Sequence, residues 1–320
     1  MPRPLREQAH SHRSSELAEI SRQVTVPWPR VCCATSRYES TSVNAHQRIL
    51  FRFVTSDRRS RSAREYCAAL DCGDFIKGWV TVDTDDRRIS EEAVVFAKAN
   101  RKEIARKLTD PLVYVPDDCP VSIFMAGYPG AGKTETSIEF MNRFESSTVR
   151  IDPDLLRAEI PTYTGGNAYL FQHAVSVLVE KLHDQALKQK QSFLLDGTSA
   201  NFDIVARNIR RSVGRGRFVL IMYVYQDPAL AWRFVTAREQ VEGRNIPLRE
   251  FVRQYFSARD AVNRIKSEFG HAVTVDVLLK NDKGGTRLYQ ENVQRVDDHI
   301  PENYDPASLL RMLNAHEGLK

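Results

Sequence analysis

A glycine-rich run between an apolar stretch and a helical pattern constrains this fold more than any other feature. The run reads Gly127-Tyr-Pro-Gly-Ala-Gly132-Lys133-Thr134 and fits the pattern G-x-x-x-x-G-K-[ST]. The six residues before it, 121–126, have the apolar character of a buried strand, and helical periodicity extends over 133–144. A strand, a glycine loop and a helix in this order form the phosphate-binding P-loop. The run therefore predicts an α/β domain with a phosphate site after its first buried strand.

Each residue type in the run suits phosphate binding. Glycines let backbone N–H groups close around phosphate oxygens, and the helix N-terminus adds partial positive charge. The Lys133 ammonium can reach the β- and γ-phosphates, and the Thr134 hydroxyl can ligate Mg²⁺. An incidental glycine-rich turn is the alternative. The predicted nucleotide-binding residues are Gly127, Tyr128, Pro129, Gly130, Ala131, Gly132, Lys133, Thr134 and Glu135.

The rest of the chain after residue 120 alternates between strand and helix patterns. Strands are predicted at 148–151, 192–195, 218–225 and 273–279, and helices at 169–190, from 203, from 229 and at 247–269. Strands separated by helices imply right-handed crossovers and a parallel sheet covered on both faces. Leu309, Leu310 and Leu313 suggest a docked helix near the C-terminus. The predicted fold is therefore α/β and P-loop kinase-like, with a partly flexible extension before it.

Two carboxylates follow predicted strands, on the edge of the sheet that carries the P-loop. Asp152 directly follows strand 148–151, where a base that accepts a proton from a substrate hydroxyl would lie. A helix cap is an equally good interpretation of Asp152. Asp196 opens an Asp-Gly-Thr sequence, so it could supply an Mg²⁺-linked carboxylate while Thr198 faces the substrate. A plain strand-to-loop turn is the alternative for this second site.

Four arginines surround a glycine late in the domain. Arg233, Arg238, Arg244 and Arg249 flank Gly243 between two helical patterns. Phosphoryl transfer spreads negative charge over the moving group, and positioned cations can accelerate it by about 10³–10⁵-fold. The segment therefore predicts a helical lid with basic residues, although each arginine taken alone could be a solvated surface residue.

The charge of the chain is unevenly distributed. The net charge is +5, but residues 1–66 contain twelve Arg and six acidic residues, whereas the other 254 residues contain 34 bases and 35 acids. We predict three parts: a basic, mostly flexible extension at 1–66, a small helical region at 67–110 with an amphipathic helix at 90–108, and a kinase domain at 111–320. Aromatic residues are not interleaved with the N-terminal arginines, which argues against nucleic acid as the partner.

Apolar runs and cysteines bear on the compartment. The most apolar stretch, 218–225, is eight residues long, whereas a membrane-spanning helix needs about twenty. The five cysteines form an odd set with no C-x-x-C pair, which fits neither a zinc site nor a secreted disulfide framework. We therefore expect a cytoplasmic protein without a membrane partner.

Four motifs taken together resemble the zeta toxin family, over about residues 120–270. They are Gly-Tyr-Pro-Gly-Ala-Gly-Lys-Thr at 127–134, Arg-Ile-Asp-Pro-Asp at 150–154, Asp-Gly-Thr at 196–198 and Gly-Arg-Asn-Ile-Pro at 243–247. Members of this family are P-loop kinases of toxin–antitoxin systems that phosphorylate the 3′-hydroxyl of UDP-N-acetylglucosamine. The resemblance implies the same reaction here, which would block the synthesis of cell-wall precursors.

The resemblance also implies roles for individual residues. Lys133 and Thr134 would bind ATP and Mg²⁺, and Asp152 would be the base. Glu180 and Thr198 would contact the substrate, and Arg238 and Arg244 would stabilise the phosphoryl group in transfer. Read without the family, Glu180 is an ordinary surface carboxylate. Two features differ from the better-known members: Asp196 stands where they have Glu, and the two lid arginines are only six residues apart, which leaves Arg233 as a competitor of Arg238.

Other functions and partners remain open at this point. A P-loop kinase of another metabolite or of an antibiotic would share most of these features, and the arginine-rich N-terminus leaves a nucleotide-switched RNA-binding protein as a further alternative. Family toxins are commonly held inactive by a separate antitoxin. Here the N-terminal region could restrain the kinase in cis, or it could be a passive extension or the product of a misassigned start.

Overall fold

A computed structural model describes residues 84–142, 148–197, 201–242, 246–281 and 285–317. The predicted extension at 1–66 lies outside the described residues, and so do two predicted site residues, Thr198 and Arg244. No helix in the described ranges is long and apolar enough to cross a membrane.

The described strands form one mixed sheet of six. Its order is β2-β3-β1-β4-β5-β6, and every neighbouring pair is parallel except β5 and β6. The predicted α/β fold is thus confirmed, with an antiparallel edge strand that was not predicted. The strands are β1 (Val121–Ala126), β2 (Val149–Ile151), β3 (Phe193–Leu195), β4 (Phe218–Tyr225), β5 (Thr274–Lys280) and β6 (Thr286–Gln290).

Helices connect the strands and cover the sheet. Short 3₁₀ segments occur at Ala168–Phe171, Gly270–Ala272 and Asp297–His299. The α-helices are α1 (Thr84–Leu108), α2 (Lys133–Met141), α3 (Pro153–Ala158), α4 (Gln172–Lys188), α5 (Phe202–Val213), α6 (Pro228–Glu242), α7 (Leu248–Phe269) and α8 (Pro306–Glu317).

Helix α1 begins six residues before the predicted start. Two acidic residues, Asp85 and Asp86, occupy its first turn, where the helix dipole favours negative charge. Arg88 contacts Glu92 at 2.9 Å, an i,i+4 ion pair that stabilises the added turn. The prediction missed this turn because it contains no apolar periodicity. The apolar face of α1, including the fully buried Ala97, packs against α4.

The C-terminal part completes the sheet and the core. Strand β6 pairs antiparallel with β5, and its sequence, Thr-Arg-Leu-Tyr-Gln, lacks the alternation of polar and apolar residues that predicts a strand. The predicted terminal helix is present as α8, with Leu309 and Leu313 fully buried against the rest of the core.

Strand order determines where a ligand can bind. The chain leaves β1 through α2 and reaches β2 on one side of the sheet, whereas β4 adjoins β1 on the other side. Connections that depart in opposite directions leave a crevice at the carboxyl ends of the strands. The P-loop, which follows β1, therefore lies in the middle of the expected binding edge.

Candidate functional site

Two P-loop glycines are required by close backbone contacts. Gly127 has φ +135°, and a side chain there would begin 2.5 Å from the carbonyl oxygen of Val224. Gly130 has φ +74°, and its first side-chain carbon would lie 2.2 Å from the carbonyl oxygen of Ala231. Any side chain would be strained in this backbone and would overlap β4 or α6. The loop shape is thus imposed by the elements packed against it.

The predicted P-loop residues divide between cleft and core. Tyr128 is fully buried, and its ring packs on Tyr225, Phe251 and Tyr255. Its hydroxyl donates to the carbonyl of Gln226. Tyr128 and the fully buried Ala131, both predicted to bind the nucleotide, therefore belong to the core and do not line the cleft. The P-loop residues that line the cleft are Pro129, Gly130, Gly132, Lys133, Thr134 and Glu135.

One large cleft lies along this edge of the sheet. Its volume is about 1330 Å³, and its lining brings together four side chains predicted from different motifs: Lys133, Asp152, Asp196 and Arg238. The Lys133 ammonium donates to the Tyr128 carbonyl at 2.8 Å, so it lies against the loop that would surround the phosphates. The cleft is large enough for two substrates side by side.

Asp152 uses both of its carboxylate oxygens. One accepts a hydrogen bond from the backbone N–H of Asp154 at 2.8 Å, which confirms that Asp152 is the N-cap of α3. The other lies 2.8 Å from Nη2 of Arg150. Burial raises the pKa of Asp152, while the Asp154 N–H and the Arg150 charge oppose that rise. The cap role and a reactive role are therefore compatible, because the cap holds the carboxylate in place.

Arg150 links Asp152 to the second predicted acid. The same Nη2 atom lies 2.7 Å from Oδ2 of Asp196, and both carboxylates are more than nine-tenths buried. Sequence reasoning missed Arg150, although alternation along a strand places residues 150 and 152 on one face. One guanidinium thus holds the carboxyl ends of β2 and β3 together.

Asp196 is also tied to the first turn of α2. The Ser137 hydroxyl lies 3.0 Å from Asp196 Oδ2 and 2.8 Å from the carbonyl of Thr134. The described residues contain no group of three acidic, histidine or cysteine side chains that could hold a metal alone. Mg²⁺ usually takes one or two carboxylates, water and substrate phosphates, so the Thr134 hydroxyl and Asp196 fit that ion when a nucleotide is present.

Three predicted or competing residues differ in where they lie relative to the cleft. Glu180 is exposed on α4 and does not line the cleft; its charge acts on Arg211 of α5 instead. Gln172 at the start of α4 does line the cleft, but eight further residues of helix carry Glu180 about 12 Å along the axis. Of the two competing arginines of α6, Arg238 lines the cleft and Arg233 does not.

Several lining residues were not predicted. Arg157 is buried and pairs with Asp154, and Lys280 comes from the end of β5. Arg264 lies over the ring of Phe202, 3.8 Å from its centroid. The residues of α7 that line the cleft follow helical spacing, which could have identified them as one face: Glu250, Arg253, Gln254, Ser257, Asp260, Ala261 and Arg264.

Comparison with known proteins gives a family and a fold. The family model described as "Zeta toxin" matches residues 82–294. A structure from the PezAT chromosomal toxin–antitoxin system of Streptococcus pneumoniae is 17% identical, with a TM-score of 0.51, and the alignment covers 70% of this chain and 95% of that one. At this identity it shows the fold alone.

A second solved structure is more distant. The AvrRxo1-ORF1:-ORF2 complex with ATP is 12% identical with a TM-score of 0.45, over 79% of this chain and 82% of that one, which is too low to support an argument. None of the curated proteins matches the sequence. The family model, however, covers more than half of the chain and includes the whole P-loop cleft. The chain belongs to the zeta toxin family of P-loop kinases.

Proposed function

We propose that this protein transfers the γ-phosphoryl group of ATP to the 3′-hydroxyl of the amino sugar in UDP-N-acetylglucosamine. The observation that carries the proposal is that the P-loop and the buried carboxylate of Asp152 line the same cleft. Family membership supports kinase chemistry, and the resemblance of the four motifs supports this acceptor. We propose the cytoplasm, which supplies both substrates, as the compartment.

The donor half of the site is the P-loop. The backbone N–H groups at the start of α2 and the Lys133 ammonium would hold the β- and γ-phosphates. Thr134 and Asp196 would hold Mg²⁺, which when bound neutralises phosphate charge. Arg238 extends from α6 into the cleft and would stabilise the charge on the transferring group. We assign the same role to Arg244 on the motif alone.

The acceptor half centres on Asp152. As the sugar hydroxyl attacks, a bond forms between its oxygen and the γ-phosphorus, the bond from that phosphorus to the β–γ bridging oxygen breaks, and the hydroxyl proton moves to the Asp152 carboxylate. Arg150 and the α3 backbone hold that carboxylate in position. ADP and the phosphorylated sugar nucleotide are the products.

One loosely paired cation of the cleft, Arg264, supports an acceptor that carries a diphosphate. Arg253 and the buried Arg157 also line the cleft, but close ion pairs with Glu250 and Asp154 engage them. Stacking on Phe202 orients the Arg264 guanidinium, and its ion pair with Asp260 is long, at 3.9 Å. A planar, pre-oriented guanidinium suits a phosphate oxygen. This favours a nucleotide sugar over a neutral sugar and over most antibiotics.

A product assay tests the substrate. The full chain is incubated with Mg-ATP and UDP-N-acetylglucosamine, and mass spectrometry measures the gain of one phosphate group. Free N-acetylglucosamine and its 1-phosphate serve as comparison acceptors, and we expect them to react at least about tenfold more slowly because they lack the nucleotide contacts. A sugar nucleotide left unchanged while another metabolite is phosphorylated would contradict the proposal. ATP hydrolysis without an acceptor would not.

Restraint by another polypeptide segment is the second part of the proposal. The PezAT structure belongs to a toxin–antitoxin system, and we propose that an antitoxin protein restrains this chain also. The alternative is restraint in cis by residues 1–83. Asp86 at the start of α1 accepts a hydrogen bond from Tyr169, a cleft-lining residue, at 2.6 Å, so the first turn of α1 lies beside the cleft.

Removing the segment separates the two forms of restraint. With an external antitoxin, the full chain and a chain that begins at residue 84 should phosphorylate the acceptor at equal rates. With restraint in cis, the shortened chain should be faster, and its growth arrest stronger. Kinase rates at matched concentrations are the measurement, and equal unfolding midpoints show that the deletion leaves the domain intact.

A further inference from the structure

Lys280 has an unusual environment for a lysine. It is the last residue of β5, its exposure is 7%, and it lines the cleft with the P-loop. A side chain placed at Gly132 would begin 3.5 Å from Lys280 Cε. The ammonium end of Lys280 is therefore held beside the loop that would surround the phosphates.

A second buried lysine shows what is missing at Lys280. The ammonium of Lys266, 4% exposed, donates to the Val273 carbonyl at 2.8 Å and contacts Asn292 Oδ1 at 3.2 Å. Within the described ranges, Lys280 has no hydrogen-bond acceptor in the protein and no carboxylate within 4.0 Å. Its ammonium opens onto the cleft, where a bound anion can compensate a charge that the described residues leave without a partner. The site thus lacks the partner that Lys266 has.

The surrounding charges indicate what that partner is. Burial lowers the pKa of Lys280, and Glu139 and Glu135 of α2 oppose that shift from a distance. The N-terminal turn of α2, the natural site for anionic phosphate oxygens, is next to it. The cleft here combines the start of α2, Lys133 and Lys280 with one carboxylate, Glu135, and a bound polyphosphate would supply the anionic partner that Lys280 lacks in the described part of the chain.

We propose that Lys280 is a second phosphate-binding residue, which contacts the α- or β-phosphate of the bound nucleotide from the β5 side of the P-loop. The inference rests on the proposed nucleotide binding and deepens it. Lys133 would act on the β- and γ-phosphates, and Lys280 on the part that ATP and ADP share. Lys280 would therefore contribute to nucleotide affinity and little to the transfer step.

The test is direct nucleotide binding by the full chain. Isothermal titration with ADP in the presence of Mg²⁺ compares the native protein with Lys280→Gln and with a matched control, Lys188→Gln, whose lysine is exposed on α4. We expect Lys280→Gln to weaken ADP binding by about tenfold or more, as the loss of a charge-assisted hydrogen bond does, and the control to leave it unchanged. The KM for ATP should rise by a similar factor, with kcat within about threefold.

Three outcomes would overturn the inference. Equal ADP affinity of Lys280→Gln and the native chain would remove it. So would a matching loss of affinity for adenosine, which has no phosphate. Lys280→Gln could weaken binding by destabilising the fold, which a lower urea unfolding midpoint would reveal. In that case Lys280→Arg, which retains the positive charge, should bind ADP as the native chain does. Weak ADP binding by Lys280→Arg would mean that Lys280 has a structural role. A native chain that binds no ADP would refute the proposed function, whereas normal native binding with an unaffected Lys280→Gln refutes this inference alone.

Discussion

Replacing Asp152 by asparagine should lower kcat by about 10²–10⁴-fold, the usual contribution of a general base. Asparagine can still accept the hydrogen bond from the Asp154 N–H, because it is as good an N-cap as aspartate. The substitution thus removes the negative charge and the proton acceptor while the start of α3 is kept. Initial rates of acceptor phosphorylation at saturating ATP measure the effect, and the KM for ATP should change only a few-fold.

The pH profile and a control make this prediction specific. Because burial raises the pKa of Asp152, the native kcat/KM should fall with acid at a pH above the ordinary titration range of aspartate. The base must be unprotonated, so activity is lost as pH drops through that raised pKa. Asp184→Asn, at an exposed position on α4, is the matched control and should retain full activity. Asp152→Asn with native kcat would exclude Asp152 as the base.

Replacing Lys133 by methionine should lower kcat/KM for phosphoryl transfer by at least about 10²-fold, because a charge directed at the phosphates is lost from an enclosed site. Methionine keeps most of the length and the apolar stem of lysine. The hydrogen bond to the Tyr128 carbonyl disappears as well, but that carbonyl still accepts one from the Ala131 N–H at 3.3 Å. Single-turnover rates at saturating ATP separate the effect on chemistry from the effect on binding.

The two lysines of the cleft should behave differently. Lys133→Met should reduce kcat, whereas Lys280→Gln should mainly raise the KM for ATP and weaken ADP binding. Growth arrest on expression should disappear with Lys133→Met if kinase activity causes it. If Lys133→Met transfers phosphate at the native rate, the glycine-rich run does not bind the transferred phosphate. That result would contradict the proposed mechanism.

Much of the site was predictable because local sequence encodes it. The glycine pattern, the strand before it and the helix after it belong to one continuous segment. The strand lies at Val121–Ala126 as predicted, and the helix begins at Lys133 as predicted but ends at Met141 instead of residue 144. The acids after β2 and β3 were predictable for a similar reason, since parallel strands bring their carboxyl ends to one edge. Arg238, one of the four arginines that the sequence singled out around Gly243, lines the cleft.

Other features depend on the direction of a side chain or of a helix axis, which spacing along the chain does not encode. The side chain of Tyr128 is in the core because α7 supplies Phe251 and Tyr255 to pack against it. The family resemblance implies that Glu180 contacts the substrate, yet the axis of α4 carries this residue away from the cleft. The motifs that contain Tyr128 and Glu180 predict neither the burial of the first nor the position of the second outside the cleft.

The sequence by itself determined the fold class, the phosphate loop and the carboxylates at the edge of the sheet, because hydrophobic periodicity and glycine backbone freedom act over a few residues. Only the tertiary structure decided which charges meet. Arg150 joins Asp152 to Asp196 across β2 and β3, and Lys280 reaches the P-loop from a strand about 150 residues further along the chain. Electrostatic interactions depend on distance in space and on burial, and both are set by the strand order of the folded sheet.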